Sequence, residues 1–385
     1  MNSHICHVIN TLGTGGAEQY VVLLSNHLDS NGVRVSIVAG EPQVLRDRLN
    51  TNIHVELLKL HPGVTRSLVI YMRLLWHTIQ HLIGYFRRER VTVVHTHLAA
   101  SALPAWIAAK FCGIPIIHSK MHTEAIASRF ERSLFISRLP LFFVSQFLAF
   151  TRYSADEICE FWHAPVARIS VSSIGVNTSR FNPKPIASSE SRSEFGLSTN
   201  DRVMLVVSRL YPEKEVALAI QSTKLLDDPS AVLLIAGDGP QRTYLEKLAK
   251  DLKGSSRIIF LGMLQDLRSV YLNADLLLQT TRGPDLGTVV LEAMSSGTPV
   301  LIAYRNDNER KMAVNTLGGL EIGAIAYATP QAMANKLKDI LADRDHLHAL
   351  RAQVRTFVEQ HHSHDLVFPA MIEIYKNLDR KTRGK

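Results

Sequence analysis

Gln279 to Ala303 reads Q-T-T-R-G-P-D-L-G-T-V-V-L-E-A-M-S-S-G-T-P-V-L-I-A, and its punctuation decides the fold. An apolar run, Ala274 to Leu278, leads into a polar loop holding Gly283, Pro284 and Gly287. A helical segment follows from about Thr288 to Ser296, Gly297 stops it, and Pro299 to Ala303 starts a new strand. Strand, glycine-bearing loop, helix, strand is half of a βαβαβ unit, with the loop at the carboxyl edge of a parallel sheet. The amides of Gly287, Thr288 and Val289 have no partner inside the helix and point out of its start, where a phosphate is welcome. Glu292 lies close enough to that start to reach a ligand held there. An ordinary βα loop with a surface glutamate would show the same spacing.

The alternation continues outward on the amino-terminal side. Val203 to Val207 is a strand, followed by S-R-L-Y-P-E-K with Arg209 and Lys214 at its carboxyl end. Two cations there neutralise phosphate charge, and an arginine does so bidentately. Helix Glu215 to Leu226, strand Ala231 to Ala236, the loop Gly237 to Pro240, helix Gln241 to Leu252 and strand Ile258 to Leu261 complete the pattern, with Gly262 and Met263 next. Beyond Ala303 the alternation weakens. Asp343-Arg344-Asp345 reads as solvated surface, and His361, His362 and His364 as a helix break before a final helix, Asp365 to Asn377.

The first half repeats the plan. His4 to Asn10 is a buried strand, T-L-G-T-G-G-A-E a tight turn, and Ala17 to Leu28 a helix. The turn is no dinucleotide fingerprint, because the G-x-G-x-x-G spacing is absent. Strands are expected at Arg34 to Ala39, Ile53 to Leu58, Val91 to His95 and Ile114 to His118, with helices over Ser67 to Arg88 and Ala99 to Phe111. His95 and His97 invite a metal reading, but no carboxylate completes it, so no metal is expected. Arg129 to Phe150 mixes arginines with dense apolar residues. Its uncharged run, Leu139 to Phe150, is too short to cross a bilayer, which leaves an interfacial helix or a buried helix-loop-helix. A helix from Ser154 to Trp162 and a strand from Ile169 to Ser172 follow. Residues 184–200, rich in Ser and Pro, read as a linker.

The 385 residues can bury two cores, and the 46% hydrophobic and 20% charged fractions suit a folded globular protein. Three scattered cysteines suggest neither a disulfide framework nor a zinc site, and the amino terminus carries no secretion signal, so the expected compartment is the cytoplasm. Residues 1–183 hold 17 Lys+Arg against 11 Asp+Glu, a net +6, whereas residues 184–385 hold 26 against 24, a net +2. A basic first half suits anionic lipid or a phosphorylated acceptor. No nucleic-acid-binding signature accompanies it, so no nucleic acid partner is expected.

The run from Gly287 through Glu292, Ala293, Met294, Gly297 and Pro299 resembles the donor-site signature of the family 4 glycosyltransferases, which have the GT-B fold. That signature usually carries two glutamates, and the first should fall at position 284, where this chain has Pro284. G-G-A-E, I-G-V-N-T-S-R-F-N-P (Ile174 to Pro183) and the Arg209/Lys214 pair match further family motifs, although the glycine usual after the lysine is Glu215 here. The resemblance implies two Rossmann-like doubly wound domains facing a cleft: 1–183, then linker 184–200, then 201–364, with 365–385 returning to the first. It implies transfer of a sugar, with retention, from a nucleotide diphosphate donor to a glycan or lipid-linked acceptor in surface polysaccharide biosynthesis, on or near a membrane surface. It gives the donor phosphates to Gly15, Gly16, Arg209, Lys214, Gly287, Thr288 and Val289, the ribose to Glu292 and the base to Gly262 and Met263. His122 would face the sugar, and Asp285 would stand in for the missing carboxylate. No cofactor beyond the nucleotide sugar co-substrate is implied. One alternative is a same-fold nucleotide-sugar epimerase; another, which Pro284 keeps open, is a non-catalytic nucleotide-sugar-binding or partner-supporting protein.

Overall fold

A computed structural model describes residues 3–58, 68–121, 134–183, 189–282, 287–319 and 323–383. The chain forms two compact units, Met1–Gly175 with His364–Lys385, and Val176–Ser363. Each is built on one parallel sheet; the strands of the second are mostly apolar runs, whereas those of the first also bury polar residues such as His7, His95, His97, His118 and Lys120.

The first unit runs β1 (His4–Thr11), α1 (Gly16–Ser30), β2 (Arg34–Gly40), β3 (His54–Leu57), α2 (Leu68–Arg88), β4 (Val93–His97), α3 (Ala99–Phe111), β5 (Ile116–Lys120), α4 (Leu134–Phe143), β6 (Gln146–Ala149), α5 (Arg152–Trp162) and β7 (Ile169–Val171). Its sheet has the order β3-β2-β1-β4-β5-β6-β7, so the winding reverses between β1 and β4. One face buries Ile5, Ile9, Tyr20, Leu24 and Val93, and the other Val8, Val94, Trp106 and Phe147. Each such aliphatic side chain taken from water contributes roughly 1.5–3 kcal/mol.

The second unit runs α6 (Ser189–Glu194), β8 (Arg202–Val207), α7 (Val216–Leu226), β9 (Ala231–Ala236), α8 (Arg242–Asp251), β10 (Arg257–Gly262), α9 (Arg268–Asn273), β11 (Leu276–Gln279), α10 (Gly287–Ser295), β12 (Val300–Tyr304), α11 (Asp307–Thr316), β13 (Ala324–Tyr327), α12 (Pro330–Ala342) and α13 (Arg344–His361). The sheet order β10-β9-β8-β11-β12-β13 reverses between β8 and β11. The last helix, α14 (His364–Arg383), belongs to the first unit and adds Phe368, Met371 and Tyr375 to the core beside α1.

Three expectations change. The division falls at Gly175, not at residue 183: Gly175 takes φ +73, and a Cβ there would lie 3.1 Å from the Phe368 ring. The supposed linker contains α6, where Arg192 donates to the carbonyls of Ser198, Asp201 and Asn273 and so fastens the segment to the second unit. Within Arg129 to Phe150, the described part is a helix followed by a strand, because Phe147, Leu148 and Ala149 form β6 between β5 and β7. The described residues therefore form neither one continuous helix nor a helix-loop-helix over this stretch. Asp343-Arg344-Asp345 is exposed, as expected, and Asp343 caps α13 by accepting from the His346 amide.

Candidate functional site

In a doubly wound sheet, ligands bind at the carboxyl edge where the strand order reverses. In the second unit that point lies between β8 and β11. Of the sequence-expected residues, Arg209 and Lys214 follow β8, and Gly287, Thr288, Val289 and Glu292 lie on α10 after β11.

The loop leaving β8 carries Arg209, which is exposed, with its guanidinium carbon 5.2 Å from the centre of the Tyr211 ring. Among the described residues Arg209 makes no ion pair, so its fork remains available to an anion. Lys214 closes the loop, half-buried, and its carbonyl accepts from Thr280 Oγ1 just beyond β11 at 2.7 Å. This loop lies flat against the one leaving β9: Leu210 N–H donates to Asp238 O at 2.9 Å and Gln241 N–H to Leu210 O at 3.0 Å. Gly237, at φ +136, makes that approach possible, since a Cβ there would sit 1.9 Å from Ser208 O.

Glu215 takes the place of the family's glycine in a left-handed conformation, φ +46 and ψ +40. That geometry explains why glycine suits the position. The carboxylate accepts from Arg282 Nε at 2.5 Å and from the Arg305 guanidinium, which also donates to the carbonyl of Thr280. Arg305 reaches Glu309 as well, at 3.2 Å. The segments after β8, β11 and β12 are thereby laced together by ion pairs.

Gly287 opens α10 at φ +71 and is exposed, with Thr288 and Val289 half-buried beside it. Glu292 is only 4% exposed, and its Oε2 accepts from Tyr271 Oη of α9 at 3.0 Å. Burial, followed by the Glu292 charge, raises the Tyr271 phenol well above its ordinary range, so the tyrosine stays a donor. Gly262 ends β10, its carbonyl accepting from Gly237 N–H at 2.7 Å, and Met263 is exposed. Asp285 and Pro284 lie outside the described residues, as does His122 in the first unit.

In the first unit the reversal lies between β1 and β4. Gly15 caps α1 and Gly16 begins it. Glu18 folds back over this start: Thr11 Oγ1 donates to it at 3.2 Å, and its Oε2 lies 2.4 Å from where a Gly15 Cβ would be. An anion bound here requires that carboxylate to move.

Sequence spacing missed a cluster on the same sheet. His7 of β1 pairs in register with His95 of β4, and with His97 the three imidazoles share one face, all fully buried. His7 Nδ1 and His97 Nε2 are 3.0 Å apart, and His95 bonds Tyr375 Oη at 2.6 Å and Ser119 Oγ at 2.7 Å. His7 Nε2 and His97 Nδ1 have no hydrogen-bond partner among the described residues. Burial pushes His7 down to about 3 and holds His95 and His97 well below the usual imidazole range, so all three are neutral at pH 7. The alternation of His95 with His97 pointed to one face, but only the strand pairing brings in His7.

Residues 14–180 match the family described as Glycosyltransferase Family 4, and residues 187–357 the family described as Glycosyl transferases group 1. Two doubly wound units with this pair of matches define a glycosyltransferase of GT-B fold. The chain belongs to the family 4 glycosyltransferases. It is 28% identical over 375 residues to a D-inositol 3-phosphate glycosyltransferase of Thermobispora bispora, covering 88% of this chain and 84% of that one. An Escherichia coli UDP-Gal:alpha-D-GlcNAc-diphosphoundecaprenol alpha-1,3-galactosyltransferase is 24% identical over 71% of this chain and 72% of its own. Among solved structures, Anabaena HepE in complex with UDP and glucose superimposes with a TM-score of 0.79 at 17% identity, over 98% of this chain and 100% of that one. No helix among the described residues is long and apolar enough to cross a membrane.

Proposed function

We propose that the protein transfers a sugar from a nucleoside diphosphate donor to a glycan or lipid-linked acceptor, with retention of configuration, in surface polysaccharide biosynthesis. The observation that carries this reading is the meeting of Arg209, Lys214 and the start of α10 at the β8/β11 reversal. When the bond from the sugar C1 to the diphosphate oxygen breaks, negative charge grows on the leaving phosphate. Arg209, Lys214 and the amides of Gly287, Thr288 and Val289 supply oriented positive charge for it. Glu292, fixed by Tyr271, takes the ribose hydroxyls, and the strand end at Gly262 and Met263 takes the base. His122 and Asp285 act at the sugar. These cations supply the charge stabilisation for which a metal would otherwise be needed.

A lipid-linked acceptor places the work at a membrane surface, on its cytosolic face. Exposed Ile70, Met72 and Trp76 of α2, with Arg73, Arg87 and Arg88 on the same helix and Phe142 of α4, support that placement. The test is a panel of nucleotide sugars screened by melting temperature, followed by transfer from the stabilising donor to host lipid-linked glycans. Transfer supports the reading. Free epimerised sugar without acceptor favours an epimerase, and donor binding with no transfer to any acceptor fraction favours the non-catalytic alternative that Pro284 raises.

A further inference from the structure

The chain re-enters the first unit at His364, directly after Ser363 pairs with Val176. There the first turn of α14 meets the last turn of α1. The rings of His27 and His364 are 5.8 Å apart, and His364 Nε2 lies 3.4 Å from Asp365 Oδ1. One nitrogen of each histidine and one oxygen of Asp365 all fall within 4.8 Å of one another. Phe368 flanks both imidazoles, with its ring 5.3 Å from His27 and 6.0 Å from His364. His27 Nε2 is buried and has no hydrogen-bond partner among the described residues. Asp365 is 67% exposed, which leaves one corner of the cluster open to solvent.

We propose that His27, His364 and Asp365 bind a divalent transition-metal ion of the zinc, cobalt or nickel type. Two imidazoles and one carboxylate are a donor set such ions favour over magnesium or calcium. Ligand atoms at roughly 2.0–2.2 Å from a tetrahedral centre stand about 3.4 Å apart. The His364–Asp365 separation already has that length, and the closure from within 4.8 Å to about 3.4 Å elsewhere needs rotation of the imidazoles as well as of the exposed Asp365 side chain. The carboxylate offsets half of the ion's charge, and solvent completes the coordination. The buried trio of His7, His95 and His97 offers imidazoles alone. It lacks a carboxylate and solvent access, and two of its ring nitrogens have no outer partner to orient them. Metal at His27 ties the last turn of α1 to the first turn of α14 within the first unit.

The experiment uses the untagged full-length chain, stripped with chelator, then titrated with Zn²⁺ by calorimetry and with Co²⁺ by visible absorption. One ion per chain and a raised melting temperature are expected. His27→Gln and Asp365→Asn should each weaken Zn²⁺ by at least about tenfold. Asp365→Asn alters an exposed side chain, so it keeps the test alive if His27→Gln does not fold. The proposal is overturned if Zn²⁺ does not bind, or if both variants bind it unchanged. It is overturned equally if His97→Asn alone abolishes binding, since the ion would then belong to the buried trio.

Discussion

Lowering the pH from 7.5 to 5.5 is expected to destabilise the first unit by about 5 kcal/mol, a large share of a typical domain's 5–15 kcal/mol. The cause is four fully buried neutral histidines, His7, His95, His97 and His118. His118 is also pushed to about 3 by burial and by Lys120, opposed by its bond to Thr96. In the unfolded chain each titrates near pH 6.5. At pH 5.5 about nine tenths of each is protonated when unfolded and almost none when folded, which amounts to roughly 1.4 kcal/mol per residue. The unfolded state binds more protons, so stability rises with pH. It is fully present above about pH 6.5 and is lost progressively as pH falls toward about 3. The Tyr20 and Tyr375 phenols beside the trio, raised further by burial, stay protonated and uncharged throughout this range.

The three tryptophans, Trp76, Trp106 and Trp162, all lie in the first unit, so intrinsic fluorescence follows that unit alone. Trp106 and Trp162 moreover lie 5.1 and 5.5 Å from the His118 ring. With a urea slope of about 2–3 kcal/mol/M, the fluorescence midpoint should fall by roughly 2 M between the two pH values. His97→Asn, which removes one titrating group, should cut the pH dependence by about a quarter whatever its effect on absolute stability. A midpoint that moves by less than about 0.5 M would mean that these histidines are not held neutral in the fold.

Arg209→Ala and Lys214→Ala should each weaken nucleoside diphosphate binding by about 1.5–3 kcal/mol with the fold intact; unchanged affinity in both, by calorimetry, would remove the donor-site assignment. Asp285→Ala should lower turnover at least tenfold, about 1.4 kcal/mol of transition-state stabilisation, while nucleotide binding survives; a fully active variant shows the loop works without this carboxylate. The full chain should co-sediment with anionic vesicles at low salt, at roughly 1 kcal/mol per basic residue near the surface, and detach as salt rises. Failure to sediment at low salt would exclude the membrane role.

Most strands were legible because buried parallel strands are unbroken apolar runs, as with Val203 to Val207 and Ala231 to Ala236. Legibility failed where burial erased contrast between neighbouring elements. β6 follows α4 with only Val144 and Ser145 between them, so helix and strand merged into one apolar stretch. β13 failed for the opposite reason: four residues, Ala324 to Tyr327, half-exposed at the sheet edge, leave too little pattern to read. Ser189 to Glu194 has a linker's composition, yet the carbonyls that receive Arg192 come from residues up to Asn273, which local sequence does not display. At the site, residue types were legible and their companions were not. Glu292 was read as a ligand residue, but the Tyr271 that anchors it comes from another helix.

Glu215 shows what such companionship does to the chemistry. A non-glycine residue in the left-handed region costs roughly 1–2 kcal/mol, which glycine would avoid. The side chain offsets that cost by bonding Arg282 and Arg305, the latter at about one-fifth exposure, where charge-assisted bonds are stronger than at the open surface. Four cations then stand near the β8/β11 reversal in two classes. Arg282 and Arg305 are neutralised by Glu215 and Glu309 and serve to hold the loops. Arg209 has no carboxylate partner among the described residues, and Lys214 contributes its backbone carbonyl to the same scaffold by accepting from Thr280 Oγ1. The departure at Glu215 therefore leaves Arg209 without a carboxylate partner among the described residues and uses the Glu215 charge to hold Arg282 and Arg305. In the sequence, Asp285 is the carboxylate adjacent to Pro284, which is why the Asp285→Ala variant tests the proposed compensation.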